Sequence, residues 1–305
     1  MHTIKYIGTF LLFSILIYLL PACKNSGFGQ RADSLFLVTD DVDIFYEIKS
    51  PDQKYFLPYV LEEISGLGWK PDGNLLAVDD ETGKVFEYSP IEQDIVHSIQ
   101  FYKGDDFEGV ELIGDEIYIL RSDGDLFKLD YTDSKESRAW EIETELGKKN
   151  DTEGLGYDPI TNKLLIACKE KGGLGDTEVK GRAFYAFDLA KNALELEPQF
   201  TIRPKDLEAF WESHRDMDYD KDRIKFKPSA IAFHPITKDY YIISSVGKMI
   251  VVVNNEGKIK ATYPIYQRIL GQPEGLAFAE NGDMYISSEG EGDRGYIIRF
   301  DMKRK

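Results

Sequence analysis

The sequence predicts an all-β fold, a single β-propeller with blades of four antiparallel strands. Three observations indicate it: five similar segments, the spacing between them, and strand-like sequence before the first segment. Each segment pairs two short apolar runs across a turn rich in Pro, Gly, Asn or Asp, and a third run follows. Four short strands with their turns take about 40 to 50 residues, which is typical of one blade. The segments begin at Ile64, Phe107, Thr152, Pro228 and Pro273.

The number of blades follows from the spacing of one aligned position in each repeat. These positions are separated by 43, 45, 76 and 45 residues. The long third gap predicts either an insertion near residues 190–226 or a sixth, degenerate blade. Residues 205–222 (KDLEAFWESHRDMDYDKD) do not alternate and hold few strand formers, which favours the insertion and five blades. The aligned positions are Ser65, Glu108, Glu153, Ser229 and Glu274.

The two ends of the propeller are expected to share a blade. The fifth repeat ends after three strands at Phe300 and Asp301, whereas residues 44–58 are strand-like and precede the first repeat. We expect the N-terminal segment to supply the outer strand of the last blade. This closes the ring and removes an open edge that would invite aggregation.

The N-terminus has the pattern of a bacterial lipoprotein. Residues 1–22 are predicted to be a signal peptide, because the apolar run from Phe10 to Leu20 is shorter than the ~20 residues of a membrane-spanning helix. Cys23 directly follows Leu-Pro-Ala, which resembles the lipobox, so we expect it to carry lipid. Residues 23–33 then form a lipidated tether and residues 34–305 the propeller. An uncleaved anchor helix is the alternative.

The predicted anchor places the protein at the cell envelope. Lys24 follows the lipid site instead of the Asp that retains some lipoproteins at the inner membrane, which favours the outer membrane. The formal net charge of −17 argues against nucleic acid as a partner, because phosphate contacts need an excess of Lys and Arg. Cys168 has no disulfide partner once Cys23 carries lipid, and we expect it in the core of a monomer.

Five sequence elements, SGL, FEGVE, EGLGYDP, SAIAFHP and PEGLAF, occur in this order over nearly the whole mature chain. In this order they resemble the SdiA-regulated protein family. The resemblance implies a five-bladed propeller similar to NHL-repeat propellers, and a member of that family has bound calcium. It implies no biochemical activity, because the family name reports gene regulation.

The aligned positions are also the candidate metal ligands. Each begins an innermost strand, and such positions converge around the central channel of a propeller. Calcium prefers six to eight oxygen ligands, which glutamates supply. Alternatively, each glutamate accepts hydrogen bonds from the neighbouring blade and only joins the ring. We predict a calcium ion at the channel mouth, bound by Glu108, Glu153 and Glu274, with Ser65, Ser229, Glu63 and Glu170 as further contributors.

A binding module for an undefined small-molecule or protein ligand is the predicted function. The sequence has no G-x-S-x-G nucleophile motif, and Cys168 lies in an apolar strand. A calcium-dependent hydrolase at the channel mouth, such as a lactonase, esterase or phytase-like enzyme, is the alternative. A purely structural envelope protein is a third hypothesis. Exposed aromatic residues of the insertion, such as Trp211 or Tyr219, would mark a partner site, and the acidic run from Asp216 to Asp222 is interpreted as a solvated loop.

Overall fold

The computed structural model describes residues 44–214, 225–290 and 292–304, and these form a five-bladed β-propeller. The five-blade prediction is therefore confirmed and the six-bladed alternative is wrong. Blade 1 comprises β3 (Ile64–Trp69), β4 (Leu75–Asp79), β5 (Lys84–Ser89) and β6 (Asp94–Gln100). Blade 2 comprises β7 (Phe107–Ile113), β8 (Glu116–Arg121), β9 (Leu126–Asp130) and β10 (Trp140–Ile142).

The other three blades follow the same antiparallel order from the axis outward. Blade 3 comprises β11 (Thr152–Asp158), β12 (Lys163–Cys168) and β13 (Arg182–Asp188), with β14 (Ala193–Leu194) and β15 (Phe200–Ile202) both paired to β13. Blade 4 comprises β16 (Ala230–Phe233), β17 (Tyr240–Ser244), β18 (Met249–Val253) and β19 (Ile259–Pro264). Blade 5 comprises β20 (Pro273–Phe278), β21 (Met284–Ser288), β22 (Tyr296–Phe300) and β2 (Gln53–Phe56).

Blade 5 contains both ends of the propeller. Strand β2 pairs antiparallel with β22, and Tyr55 lies opposite Ile297. A second short pair joins β1 (Ile44–Phe45) to β23 (Lys303–Arg304). The prediction that the N-terminal segment closes the ring is confirmed.

The hydrophobic core is divided among the contacts between neighbouring blades. The second strand of each blade is apolar on both faces, because a neighbouring blade covers each side; Leu75–Asp79 and Tyr240–Ser244 are fully buried. Five apolar clusters occupy the five blade-to-blade contacts. One of them joins blade 5 to blade 1, with Tyr285 and Leu75 among its members, so the ring is closed by packing as well as by strand pairing.

The long gap between the third and fourth repeats contains the predicted insertion. It holds β14, β15 and a helix, α1 (Pro204–Ser213), whose start is fixed because the Arg203 amide donates to Asp206 Oδ2 at 2.9 Å. Trp211 on this helix is only 5% exposed, and its Nε1 donates to Thr262 Oγ1 at 3.0 Å. It anchors the helix to blade 4 and is not the exposed aromatic partner site considered from sequence. Tyr219 and the run from Asp216 to Asp222 lie outside the described residues.

The predicted signal peptide, Cys23 and the predicted tether also lie outside the described residues. Within the parts of the chain that the structure describes, no helix has the length and apolarity needed to cross a membrane. Cys168 is fully buried in β12, as expected for a core residue, and burial raises the pKa of its thiol to about 12.

In four of the five repeats, the residue after the aligned position is glycine. The reason is that the inner strands of neighbouring blades approach each other closely. A Cβ on Gly109 would lie 2.6 Å from Leu155 Cβ in the next blade. A Cβ on Gly275 would lie 2.7 Å from Leu67 Cβ, across the contact where the ring closes. Real Cβ atoms do not approach so closely, so these glycines set the distance between blades near the axis.

The first prediction concerns this spacing. Gly109→Ala is expected to lower the free energy of unfolding by about 1 to 3 kcal/mol, because the new methyl group overpacks the contact between blades 2 and 3. Gly147→Ala is the matched control, since a Cβ there meets no atom within 4 Å. Urea unfolding followed by circular dichroism measures both variants. Equal midpoints for the two would show that inner-strand contact does not limit stability.

Candidate functional site

The inner strands place their aligned residues by a shared irregularity. Strands β3, β7, β11 and β20 each begin with a register shift that leaves one residue unpaired in the ladder. A bulge of this kind re-aims the side chain of the extra residue and is common beside functional sites. The unpaired residues are Ser65, Glu108, Glu153 and Glu274.

Three of the predicted ligands meet at the axis. Glu108, Glu153 and Glu274, from blades 2, 3 and 5, line one central cavity of about 10 Å³. Glu153 is buried there, and Glu108 and Glu274 are half-buried. The topology therefore brings together the three residues on which the sequence prediction mainly rested.

Burial and mutual repulsion change the acidity of these glutamates. Burial, and then the charges of Glu153 and Asp106, raise the pKa of Glu108 well above its ordinary value. Burial raises the pKa of Glu153 to about 7. Burial, and then Glu153 and Glu289, raise the pKa of Glu274 to about 8. Each shift favours a neutral carboxyl, which is the expected response of carboxylates that share a poorly solvated space.

One cation, which sequence reasoning missed, lies against the channel glutamates. Lys169 Nζ contacts Glu153 Oε1, and Lys169 directly follows β12. Burial is the largest single influence and would lower the pKa of Lys169, but the carboxylates of Glu153, Asp151 and Glu274 together raise it. The signal was present in the sequence, because Lys169 is the residue next to the end of a second strand, which returns to the channel mouth.

Glu170 lies elsewhere than the prediction placed it. Lys169 contacts Glu153 of the channel, whereas Glu170, the next residue in the bend after β12, contacts a different set of residues. Its carboxylate contacts Lys227 Nζ and lies 3.5 Å from Arg182 Nη1. Glu170 is therefore part of a neighbouring cleft and is not among the residues that line the central cavity.

The two predicted serine ligands connect neighbouring blades. Ser65 Oγ donates to the backbone carbonyl of Phe107 in blade 2, and Ser229 Oγ donates to the carbonyl of Pro273 in blade 5 at 3.0 Å. Both side chains are buried. They perform the ring-joining role that the alternative hypothesis assigned to the glutamates.

Further acidic residues surround the mouth on the side of blade 1. Burial, and then the charge of Glu63, raise the pKa of Asp80 to about 6. Asp80 Oδ1 is buried without a hydrogen-bond partner in the described parts of the chain, whereas Glu63 is exposed. Glu63 therefore contributes negative charge beside the mouth at a distance from the three channel glutamates.

These residues supply the hard oxygen donors that calcium prefers. In the described ranges, no group of three or more His, Cys, Asp and Glu side chains has an arrangement that could hold a metal ion as it stands. The oxygen donors therefore fit calcium. A calcium site would require the three channel carboxylates to move closer together.

Five antiparallel sheets, four of four strands and one of five, around a carboxylate-lined channel define the class of protein, a five-bladed β-propeller with an acidic channel mouth. The chain belongs to the SdiA-regulated family, because the model of that family matches residues 46–292. This confirms the family resemblance found in the sequence. No curated protein sequence matches the chain.

Solved structures are similar to this chain at low sequence identity. The glutaminyl cyclase of Myxococcus xanthus is 13% identical, with 84% of this chain and 97% of that chain covered and a TM-score of 0.54. The PQQ-bound aldose sugar dehydrogenase of Streptomyces coelicolor is 12% identical, with 83% and 100% covered and a TM-score of 0.47. At such identities the likeness concerns architecture and not chemistry.

The second prediction concerns pH. The unfolded Glu274 carboxyl ionises near its ordinary value of 4.5 and the folded one near 8, so its contribution to stability is present below about pH 4.5 and is lost as pH rises to about 8. In calcium-free buffer, Glu274→Gln is expected to melt several degrees above the parent protein at about pH 8 and close to it at about pH 5.

Glu280→Gln is the matched control, because Glu280 is exposed on the same blade. It should leave the melting temperature unchanged across the same pH range. A parallel pH dependence for the parent protein and Glu274→Gln would show that Glu274 does not carry the cost of ionisation.

Proposed function

We propose that this chain is a calcium-binding propeller module of the cell envelope, anchored through lipid on Cys23, which binds a small-molecule or protein partner on its channel-mouth face. The observation that carries the proposal is the convergence of Glu108, Glu153 and Glu274 in one confined channel. A bound cation would stabilise the charged forms of these three glutamates, whose pKa values are raised. Among the described contacts, Lys169 contacts only one of the three, Glu153.

Calcium suits this position better than a softer metal. Its ligands are oxygen atoms at flexible geometry, so it tolerates carboxylates that come from three different blades. To bind all three, the ion takes the place of Lys169 beside Glu153, and the carboxylates turn inward onto it. Ser65, Ser229 and Glu170 already have partners in neighbouring blades, so the proposed site rests on the three glutamates.

The third prediction tests calcium directly. In residues 24–305, which lack Cys23, calcium added after chelation is expected to raise the melting temperature saturably, with half-saturation at about 10⁻⁴ to 10⁻³ M, the range of extracellular calcium modules. Glu153→Gln and Glu274→Gln should abolish the rise, because each removes a charged ligand. Glu280→Gln should retain it.

An unchanged melting temperature up to several millimolar calcium would remove the metal from the proposal. It would also remove the hydrolase alternative, which depends on the same ion. A rise that survives in Glu153→Gln and Glu274→Gln would place the ion away from the channel.

A binding module is favoured over a hydrolase by the size of the channel. The central cavity of about 10 Å³ is far smaller than the ~300 to 1,000 Å³ typical of small-molecule sites. The three histidines in the described chain make hydrogen bonds outside that cavity: His97 with the Thr132 carbonyl, His214 with the Phe210 carbonyl and His234 with Tyr46. Calcium in the channel would then stabilise the face on which a partner binds.

The fourth prediction concerns the anchor. Cys23→Ser is expected to shift the full-length protein from the membrane fraction to the soluble fraction of the cell envelope, because the serine hydroxyl cannot form the thioether to lipid. Metabolic labelling with a radioactive fatty acid measures the modification. Labelling that persists in Cys23→Ser would exclude this lipid site, and a membrane-bound Cys23→Ser would favour the uncleaved anchor helix.

A further inference from the structure

A cleft much larger than the channel opens on the same face, between blades 3 and 4. Its volume is about 840 Å³, within the range of small-molecule sites. The loop between β12 and β13 forms one wall, and residues 225–227, which precede β16, form another. Because β11, β13 and β16 all begin at the channel-mouth face, this cleft and the channel open toward the same side of the propeller.

The described residues that line the cleft carry an excess of positive charge, whereas the chain as a whole is acidic. Among the residues that the structure describes, six basic ones line the cleft against three acidic ones, although the chain carries a formal net charge of −17. The acidic residues are Glu170, Asp176 and Glu178, and the last two are exposed. A local excess of positive charge in an acidic chain attracts anions to this position.

A guanidinium is held in a fixed position at the centre of this cleft. Arg182 Nε donates to the Phe226 carbonyl at 3.0 Å, and Nη1 donates to the Glu170 carbonyl. The half-buried Arg182 is therefore pre-organised by backbone contacts from both walls. A guanidinium in this state loses little side-chain entropy when it pairs with a carboxylate or phosphate.

The wall that carries two of the lysines is also built to hold its shape. Asn150 Nδ2 donates to the carbonyls of Lys171 and Gly173, at 2.6 and 3.0 Å, and Tyr185 Oη donates to the carbonyl of Gly172 at 2.6 Å. Asn150 and Tyr185 are buried, so core residues fix the backbone of this loop. The loop presents its side chains to the cleft from a rigid base.

Lys171 and Lys180 are exposed at the two ends of this loop and line the cleft. The structure shows no acidic partner for either ammonium group among the residues it describes. Lys227, by contrast, is paired with Glu170. Two lysines and one arginine thus offer positive charge that the described side chains neutralise only in part.

We propose that this cleft binds a small organic anion with two or more carboxylate or phosphate groups. Arg182 contacts one anionic group in the centre, and Lys171 and Lys180 attract a second one at the rim. The cleft shares no lining residue with the channel, so this proposal does not rest on the calcium site proposed above.

Isothermal titration calorimetry on residues 24–305 tests the proposal. Citrate and fructose 1,6-bisphosphate are the probes, and fructose is the uncharged counterpart. The protein is kept free of calcium, because citrate chelates it, so a failed channel proposal leaves this test unaffected. Both anions are expected to bind saturably at constant ionic strength, with a Kd of about 0.1 to 1 mM, and fructose is expected not to bind.

Two double variants locate the binding. Lys171→Glu with Lys180→Glu is expected to weaken binding by about tenfold or more, because attraction becomes repulsion at the rim. Lys135→Glu with Lys258→Glu makes the same change in net charge at exposed positions outside the cleft and should leave the Kd unchanged. Equal melting temperatures of the two variants establish that the fold is retained.

Two results would overturn the proposal. The first is the absence of saturable binding of either anion at about 10 mM. The second is an equal loss of affinity in both double variants, which would show attraction to overall charge. Arg182→Gln, which keeps a donor for the backbone carbonyls, should weaken both probes, and an unchanged Kd would remove Arg182 from the site.

Discussion

The close approach of the inner strands at the axis is the constraint on which the other features depend. Gly109 and Gly275 have no room for a Cβ, because Leu155 and Leu67 of the next blades already occupy that space. Blades that pack this closely leave a central cavity of only about 10 Å³. The bulges beside these glycines turn three glutamates into that cavity, so the packing of the ring determines how little water the carboxylates retain.

The electrostatics of the mouth follow from this confinement. In open solvent, the three glutamates would ionise independently near their ordinary pKa values. In the channel, burial is the largest cause of the raised pKa of each, and the charges of neighbouring acids add to it in Glu108 and Glu274. Lys169 relieves only part of this cost: it contacts Glu153 and its charge also acts to lower the pKa of Glu274, yet the pKa values of both glutamates stay raised.

The repeats in the sequence were sufficient to predict the architecture, because each blade is specified locally by its own strands and turns. The spacing gave five blades, and the missing fourth strand after Phe300 gave the closure by residues 44–58. Strand alternation could not place the ends of the second strands to within one residue. The sequence prediction therefore chose Glu170 as a channel residue, whereas Lys169 occupies that position.

The sequence could not predict the basic cleft, for a related reason. Its charges come from the loop before β13, from the segment before β16 and from Lys149, and no repeat or motif relates them. Arg182 becomes a rigid central group only when the carbonyls of Glu170 and Phe226 meet it from two walls. Such convergence depends on how blade 4 packs against blade 3, which local patterns do not encode.

The adjacent residues Lys169 and Glu170 connect the two sites. As the chain leaves β12, one side chain turns into the acidic channel and the next turns into the basic cleft. Each therefore supplies the charge that its surroundings lack: a cation among glutamates, and an anion between Lys227 and Arg182. A single strand end thus partly neutralises both sites, and exchanging the two residues would leave net charge unchanged while placing each beside like charges. The order of the two residues therefore determines the distribution of charge on this face, which net charge alone does not.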